Sequence, residues 1–205
     1  MRLTALPAFD DNYIWALVAN DGRAVIVDPG QAAPVLEAAQ REGFTPVAAL
    51  LTHHHADHVD ANLPLKARFD AQIIGPALEA ARIPGIDLTI GDGGDFTFAG
   101  RPVHVIGTPG HTAGHICYHL PEDHLLFAAD TLFALGCGRL FEGTPLDMWT
   151  SLSKLMELPD ETLVAVEALA RWTAPNGIEI PPETEMVPNS SGYPPASWTP
   201  SLTAF

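Results

Sequence analysis

Strand-like runs alternating with helical ones predict an α/β protein whose sheets are covered by helices on their outer faces. Three observations carry this. A hairpin pattern opens the chain, a helix-then-strand unit follows at 33–53, and strand-like runs broken by glycine turns at 87–120 lead to a helical segment at 147–158.

The hairpin is YIWALVA (13–19) and AVIVDPG (24–30), two apolar runs rich in aromatic and β-branched residues around the turn signal Asn20-Asp21-Gly22. APVLEAAQREG (33–43) holds helix formers and ends on Gly43, and PVAALLTH (46–53) reads as a buried strand. ANLPLKARFD (61–70) is expected to be helical and AQIIGP (71–76) a strand. HLLFAADTLF (124–133) reads as an apolar strand carrying Asp130 at its end. In DMWTSLSKLMEL (147–158) apolar residues at 148, 149, 152, 155 and 156 follow helical spacing. LVAVEALARWTA (163–174) is read as a further helix, after which seven of the nineteen prolines fall between 175 and 200, a density that blocks helix interiors and central strands. The expected division is therefore a folded domain over 1–164 and an irregular Pro-rich tail over 165–205.

Composition narrows the function. At 205 residues, 47% hydrophobic and 17% charged, the chain can bury a full core as one domain. Ten basic against twenty-five acidic residues give a formal charge of −15, which opposes nucleic acid and anionic membranes as partners. Cys117 and Cys137 are too few for a disulfide framework and fit a reducing compartment. The start, MRLTALPAFDDNYIWALVAN, lacks the unbroken apolar region of a secretory signal, so a cytoplasmic location is expected. No run reaches the roughly 18 apolar residues of a membrane helix, and nothing in the sequence sets an oligomeric state.

The chemistry concentrates in THHHADHVDAN (52–62), where four histidines and two aspartates fall within residues 53–60, directly after an apolar run. Imidazole is the commonest protein metal ligand and carboxylate suits harder cations, so the mixture points to a transition metal. His53, His55, Asp57 and His58 converge only if the backbone turns sharply, because strict alternation would send His53 and His58 to opposite faces. GTPGHTAGH (107–115) places His111 in a glycine-rich turn after a strand, and LLFAADT brings Asp130, a carboxylate costly to bury without a cation or donors around it. Three strand ends thus each offer ligands.

In the order THHHADH, GTPGHTAGH, AADTLF the sequence resembles the metallo-β-lactamase superfamily, and FDDNYIWAL with GCGRLFEGTPLDMWTSLSKLMELPDETLV (136–164) resembles its glyoxalase II (hydroxyacylglutathione hydrolase) branch. The resemblance covers roughly residues 1–164. It implies an αβ/βα sandwich of two mixed sheets with helices outside. It also implies a dinuclear site in which His53, His55 and His111 bind the first metal, Asp57 and His58 the second, and Asp130 bridges both. Asp57 would also orient a metal-bound hydroxide that attacks the thioester carbonyl of S-D-lactoylglutathione, giving glutathione and D-lactate in methylglyoxal detoxification. Arg139 and Phe141 would lie where the family holds glutathione. Zinc is the expected metal, with iron or manganese compatible with the same donors.

Of the remaining histidines, His54 is expected to point away from the ligands, His115 to stand behind them, and His104, His119 and His124 to be held by hydrogen bonds in or beside strands. Cys137 is expected to be a small packing residue rather than a nucleophile.

The pattern also breaks. The family's second metal takes one more histidine from a GHEYT-like segment shortly after LPDETLV, with a tyrosine that touches glutathione, whereas here the chain continues AVEALARWTAPNG with no histidine after His124. One firm metal site, one weak or empty one, and impaired hydrolysis are therefore expected. Two other functions compete with this reading, a mononuclear iron persulfide dioxygenase of the same fold and a metal-binding fragment without catalysis.

Overall fold

A computed structural model describes residues 1–133 and 136–166. The hairpin opens it as expected. β1 (Arg2–Ala8), β2 (Asn12–Val18) and β3 (Arg23–Val27) run antiparallel, with Leu17 facing Val25 and Trp15 facing Val27. α1 (Ala32–Glu42) then crosses to β4 (Thr45–Leu50), parallel to β3. The short α2 (Ala56–Val59) and α3 (Asn62–Phe69) lead to β5 (Gln72–Pro76), a 3-10 turn at Ala77–Arg82, and β6 (Leu88–Ile90). These six strands form one sheet in sequence order.

The second sheet is an antiparallel meander of β7 (Asp95–Phe98), β8 (Arg101–Gly107), β9 (Ile116–Leu120) and β10 (Leu125–Phe127), extended by β11 (Leu163–Ala165). A 3-10 turn at Ala129–Thr131 and α4 (Pro145–Met156) intervene before β11.

Successive side chains of a strand point to opposite faces, and here both faces are covered, which is why the strands read as continuous apolar runs. On β2, Trp15 and Leu17 enter the core between the sheets with Val25, Leu50, Val103, Tyr118 and Phe127. Ile14, Ala16 and Val18 face the other way and pack under Val35, Ala38 and Leu65 of α1 and α3. On the second sheet Cys117 and Leu126 turn outward beneath Leu155 of α4. The result is the expected helix-covered pair of mixed sheets. Two hydrogen bonds join the sheets near one end, from Tyr118 Oη to the Leu51 carbonyl at 2.8 Å and from the Ile116 amide to the Thr52 carbonyl at 3.0 Å.

Two expectations need correction. Residues 163–165 form a parallel strand on β10, with Leu125 opposite Leu163 and Phe127 opposite Ala165, where a helix was expected to begin. Helix propensity loses there because the exposed edge of β10 offers unpaired backbone groups and the apolar residues fit a pleated, half-covered surface. Asp130 sits within the 3-10 turn after β10 rather than at the end of a strand, since β10 stops at Phe127. The remainder of the segment read as helical and the Pro-rich tail, residues 167–205, lie outside the described residues. Among the described residues no helix is long and apolar enough to cross a membrane.

Candidate metal centre

The loop after β4, the loop between β8 and β9, and the turn after β10 meet at one end of the sandwich. His53, His55, His111 and Asp130 each present a donor atom there, all within 4.8 Å of one another. His55 Nδ1 lies 3.1 Å from His53 Nε2 and 2.8 Å from His111 Nε2. Asp130 Oδ2 is 2.9 Å from His111 Nε2 and 4.0 Å from His53 Nε2. The sharp turn the spacing required is supplied by α2, which begins just after His55 and brings His58 back against His53, ring centroids 4.1 Å apart. His58 Nε2 stands 3.5 Å from Asp57 Oδ2 and 3.8 Å from Asp130 Oδ1. All six predicted ligand residues are therefore brought together, and Asp130 directs one oxygen toward each group.

The rings are held by their outer nitrogens. His111 Nδ1 is 2.7 Å from the Arg139 carbonyl, His53 Nδ1 is 3.0 Å from Thr52 Oγ1, and His58 Nδ1 is 3.1 Å from Asp28 Oδ2. With a cation bound, each contact would keep a proton on the outer nitrogen and leave the inner one free to face the metal. Burial first, then the neighbouring histidines, pushes the pKa of His53 well below its usual value, and burial followed by His111 lowers that of His55. Burial alone would raise the pKa of Asp130, but the His111 hydrogen bond and the nearby histidines outweigh it and leave the group below the usual range. Asp57 is held well below by its hydrogen bond with His58, against a desolvation that raises it, with help from the Asn12 amide at 3.2 Å. Three ring nitrogens and a carboxylate facing one another form a set that a divalent cation would complete, so the residues present fit a metal.

Asp28 is the functional residue that sequence reasoning missed. It is 1% exposed, and Asp28, His53 and His58 offer a second close set of donors. Its oxygens already accept from the Thr52 amide at 2.8 Å, from the Thr52 hydroxyl and from His58, so it orients ligands rather than serving as one. Its backbone is left-handed (φ 48°), and the only sequence signal was a carboxylate ending the run AVIVDPG. Gly30 follows for a steric reason, because a Cβ there would lie 1.8 Å from the Asp57 carbonyl oxygen.

Phe141 is 59% exposed and lays its ring edge-on to His55 and His111, 5.3 Å from each, and the exposed Arg139 guanidinium stands 5.5 Å from the Phe141 ring centroid. α4 steadies this side. Ser151 Oγ donates to the Pro109 carbonyl at 2.7 Å and Lys154 Nζ to the Gly107 carbonyl at 2.8 Å.

The other histidines fall close to expectation. His54 turns away, 2.7 Å from Glu79 Oε2. His115 stacks on His53, with Nδ1 3.0 Å from Thr108 Oγ1 and 3.1 Å from Thr131 Oγ1, its pKa pushed down to about 4 by burial. His104 contacts Asp95, whereas the exposed His124, expected to be hydrogen-bonded, stands only at ion-pair distance, 3.7 Å from Glu161. His119 departs from expectation, since among the described residues its buried Nε2 has no hydrogen-bond partner. Cys137 is exposed rather than packed, because it lies in an irregular loop, and desolvation raises its pKa, which leaves it a poor nucleophile.

The chain is similar to known proteins. A hydroxyacylglutathione hydrolase of Xanthomonas campestris pv. campestris is 62% identical over 165 residues, 80% of this chain and 63% of that protein. One from Rhizobium meliloti is 62% identical over 143 residues, covering 70% and 56%. The chain thus spans less than two thirds of the length of these curated relatives. Among solved structures, BLEG-1 B3 metallo-beta-lactamase superposes with a TM-score of 0.74 at 28% identity, over 82% of this chain and 92% of that one. ETHE1 from Myxococcus xanthus gives the same score and identity over 83% and 77%. The family profile matches residues 10–166, within which every donor of the centre lies, and the chain belongs to the metallo-beta-lactamase superfamily.

Proposed function

We propose that this chain is a metal-dependent thioester hydrolase that converts S-D-lactoylglutathione to glutathione and D-lactate, a step of methylglyoxal detoxification. The observation that carries the reading is the convergence of three inward-facing ring nitrogens and the Asp130 carboxylate within 4.8 Å, beneath an exposed Phe141. The 62% identity to proteins named hydroxyacylglutathione hydrolase supports the choice of substrate. The dioxygenase alternative draws less support, since the relatives at 62% identity are named hydroxyacylglutathione hydrolase.

His53, His55, His111 and Asp130 would hold one metal firmly, with zinc the expected ion. Asp57 and His58, sharing Asp130, would hold a second weakly, because no histidine after His124 supplies a further imidazole. When bound, the metal supplies Lewis acidity and a water pKa lowered toward about 7, which makes attack on a thioester carbonyl feasible at neutral pH. Asp57, half exposed beside the centre and with its pKa lowered by the His58 hydrogen bond, would accept a hydrogen bond from the attacking water and orient it. Phe141 forms an apolar wall over His55 and His111, and Arg139 offers a forked donor suited to a glutathione carboxylate.

Zinc-loaded protein incubated with S-D-lactoylglutathione tests this directly. The expected result is thioester loss matched by thiol release, abolished by a chelator and restored by zinc. Intact, metal-loaded protein that leaves the thioester untouched would contradict the proposal and favour a binding fragment.

A further inference from the structure

His54 lies between two ligands, yet it faces the other way, and what it meets there is a buried carboxylate. Glu79, in the 3-10 turn after β5, has a side chain that is 0% exposed. A carboxylate so placed is costly unless its oxygens are engaged. Oε2 is 2.7 Å from His54 Nδ1, Oε1 accepts from the Gly114 amide at 2.9 Å, and the Arg82 guanidinium is 3.8 Å away. Gly114 permits the approach, since a Cβ there would lie 2.6 Å from Glu79 Cγ. A second carboxylate repeats the link at the rim. Glu142 binds Arg82, accepts from the Ala113 amide at 2.9 Å and stands 3.9 Å from His54 Nε2.

These contacts join segments that carry donors from different sheets. His54 belongs to the loop that presents His53 and His55 from the first sheet. Ala113 and Gly114 belong to the loop that presents His111 from the second, and Glu142 follows Phe141. The centre requires His55 Nδ1 and His111 Nε2 to stay close together, 2.8 Å apart in this structure. The backbone bond between Ile116 and Thr52 ties the base of the two loops, and Glu79 ties their outer ends.

We infer that Glu79, acting through His54 and the Gly114 amide, is a positioning residue that sets the spacing of the two ligand loops and thereby the affinity of the metal centre. The inference rests on the reading of the centre as a metal site, and Glu79 itself touches neither metal nor substrate. Groups that orient metal ligands from behind typically change affinity by about 10- to 100-fold.

The test is zinc affinity by chelator competition in wild type, Glu79→Ala, His54→Ala and the double variant, with the visible spectrum of the Co2+ form and the melting point of the metal-free form measured alongside. Each single variant is expected to bind zinc about 10- to 100-fold more weakly with a changed Co2+ spectrum, and the double variant to be no weaker than Glu79→Ala, because the two residues act as one link. A folded Glu79→Ala protein within twofold of wild type overturns the inference, as do effects that multiply in the double variant. A merely structural Glu79 would lower the melting point and leave affinity and spectrum unchanged. Should Glu79→Ala fail to fold, His54→Ala decides alone by the same twofold criterion. Wild type that binds no zinc would sink the metal-site reading and the inference together, whereas normal wild-type binding with unaltered variants sinks the inference only.

Discussion

Asp28 shows how much one side chain settles. Its two oxygens take the Thr52 amide, the Thr52 hydroxyl and His58 Nδ1, so one buried carboxylate holds both the strand end that leads into the histidine loop and the His58 ring. Replacing it by alanine leaves those donors without their acceptor inside the fold. Loss of a buried charged partner of this kind costs about 2–4 kcal/mol. Asp28→Ala is therefore expected to lower the unfolding free energy of the metal-free protein by that amount, and to weaken zinc binding about 10- to 100-fold by loosening the Thr52 hydroxyl that holds the His53 ring. Denaturant unfolding and chelator competition read the two effects separately, and a variant as stable as wild type would show that the contacts carry no load. The cluster itself was legible from sequence, because His53, His55 and His58 crowd one short stretch and His111 and Asp130 follow apolar runs. Asp28 and Glu79 were not, since a lone acid before Pro-Gly or within a short helical turn looks like ordinary loop chemistry until its partners are seen.

Elements position the site through a few joints. Asp87, just before β6, is one of them. Its Oδ2 accepts from the Ile73 amide of β5 at 2.9 Å and its other oxygen meets Lys66 of α3. The Ile73 hydrogen bond first, then Lys66, lowers its pKa from 3.8. A carboxylate whose folded pKa is depressed stabilises above its unfolded value and loses that contribution as pH falls through the folded one. The melting-point difference between wild type and Asp87→Asn should hold steady at neutral pH and shrink below about pH 3.8. A difference that grows on acidification would reverse the sign argued here. The hairpin, α1, β4 and α4 could all be read in advance because apolar period and turn residues agreed. Leu163–Ala165 could not, because its strand character comes from the open edge of β10, a partner distant in sequence.

At the scale of the whole molecule, two sheets with helices outside meet at an end where neither closes the space alone. The first supplies His53, His55, Asp57 and His58, and the second supplies His111 and Asp130. Tyr118 and Ile116 lock the sheets together beside it, so the site depends on the sandwich being assembled. Excess acid over base, a formal −15, is also eased where a divalent cation binds. Anomalous diffraction from a zinc-loaded crystal puts the shared centre to its most direct test. The strongest peak should fall among His53 Nε2, His55 Nδ1, His111 Nε2 and an Asp130 oxygen, and a zinc ion held elsewhere, with this cluster vacant, would contradict the account.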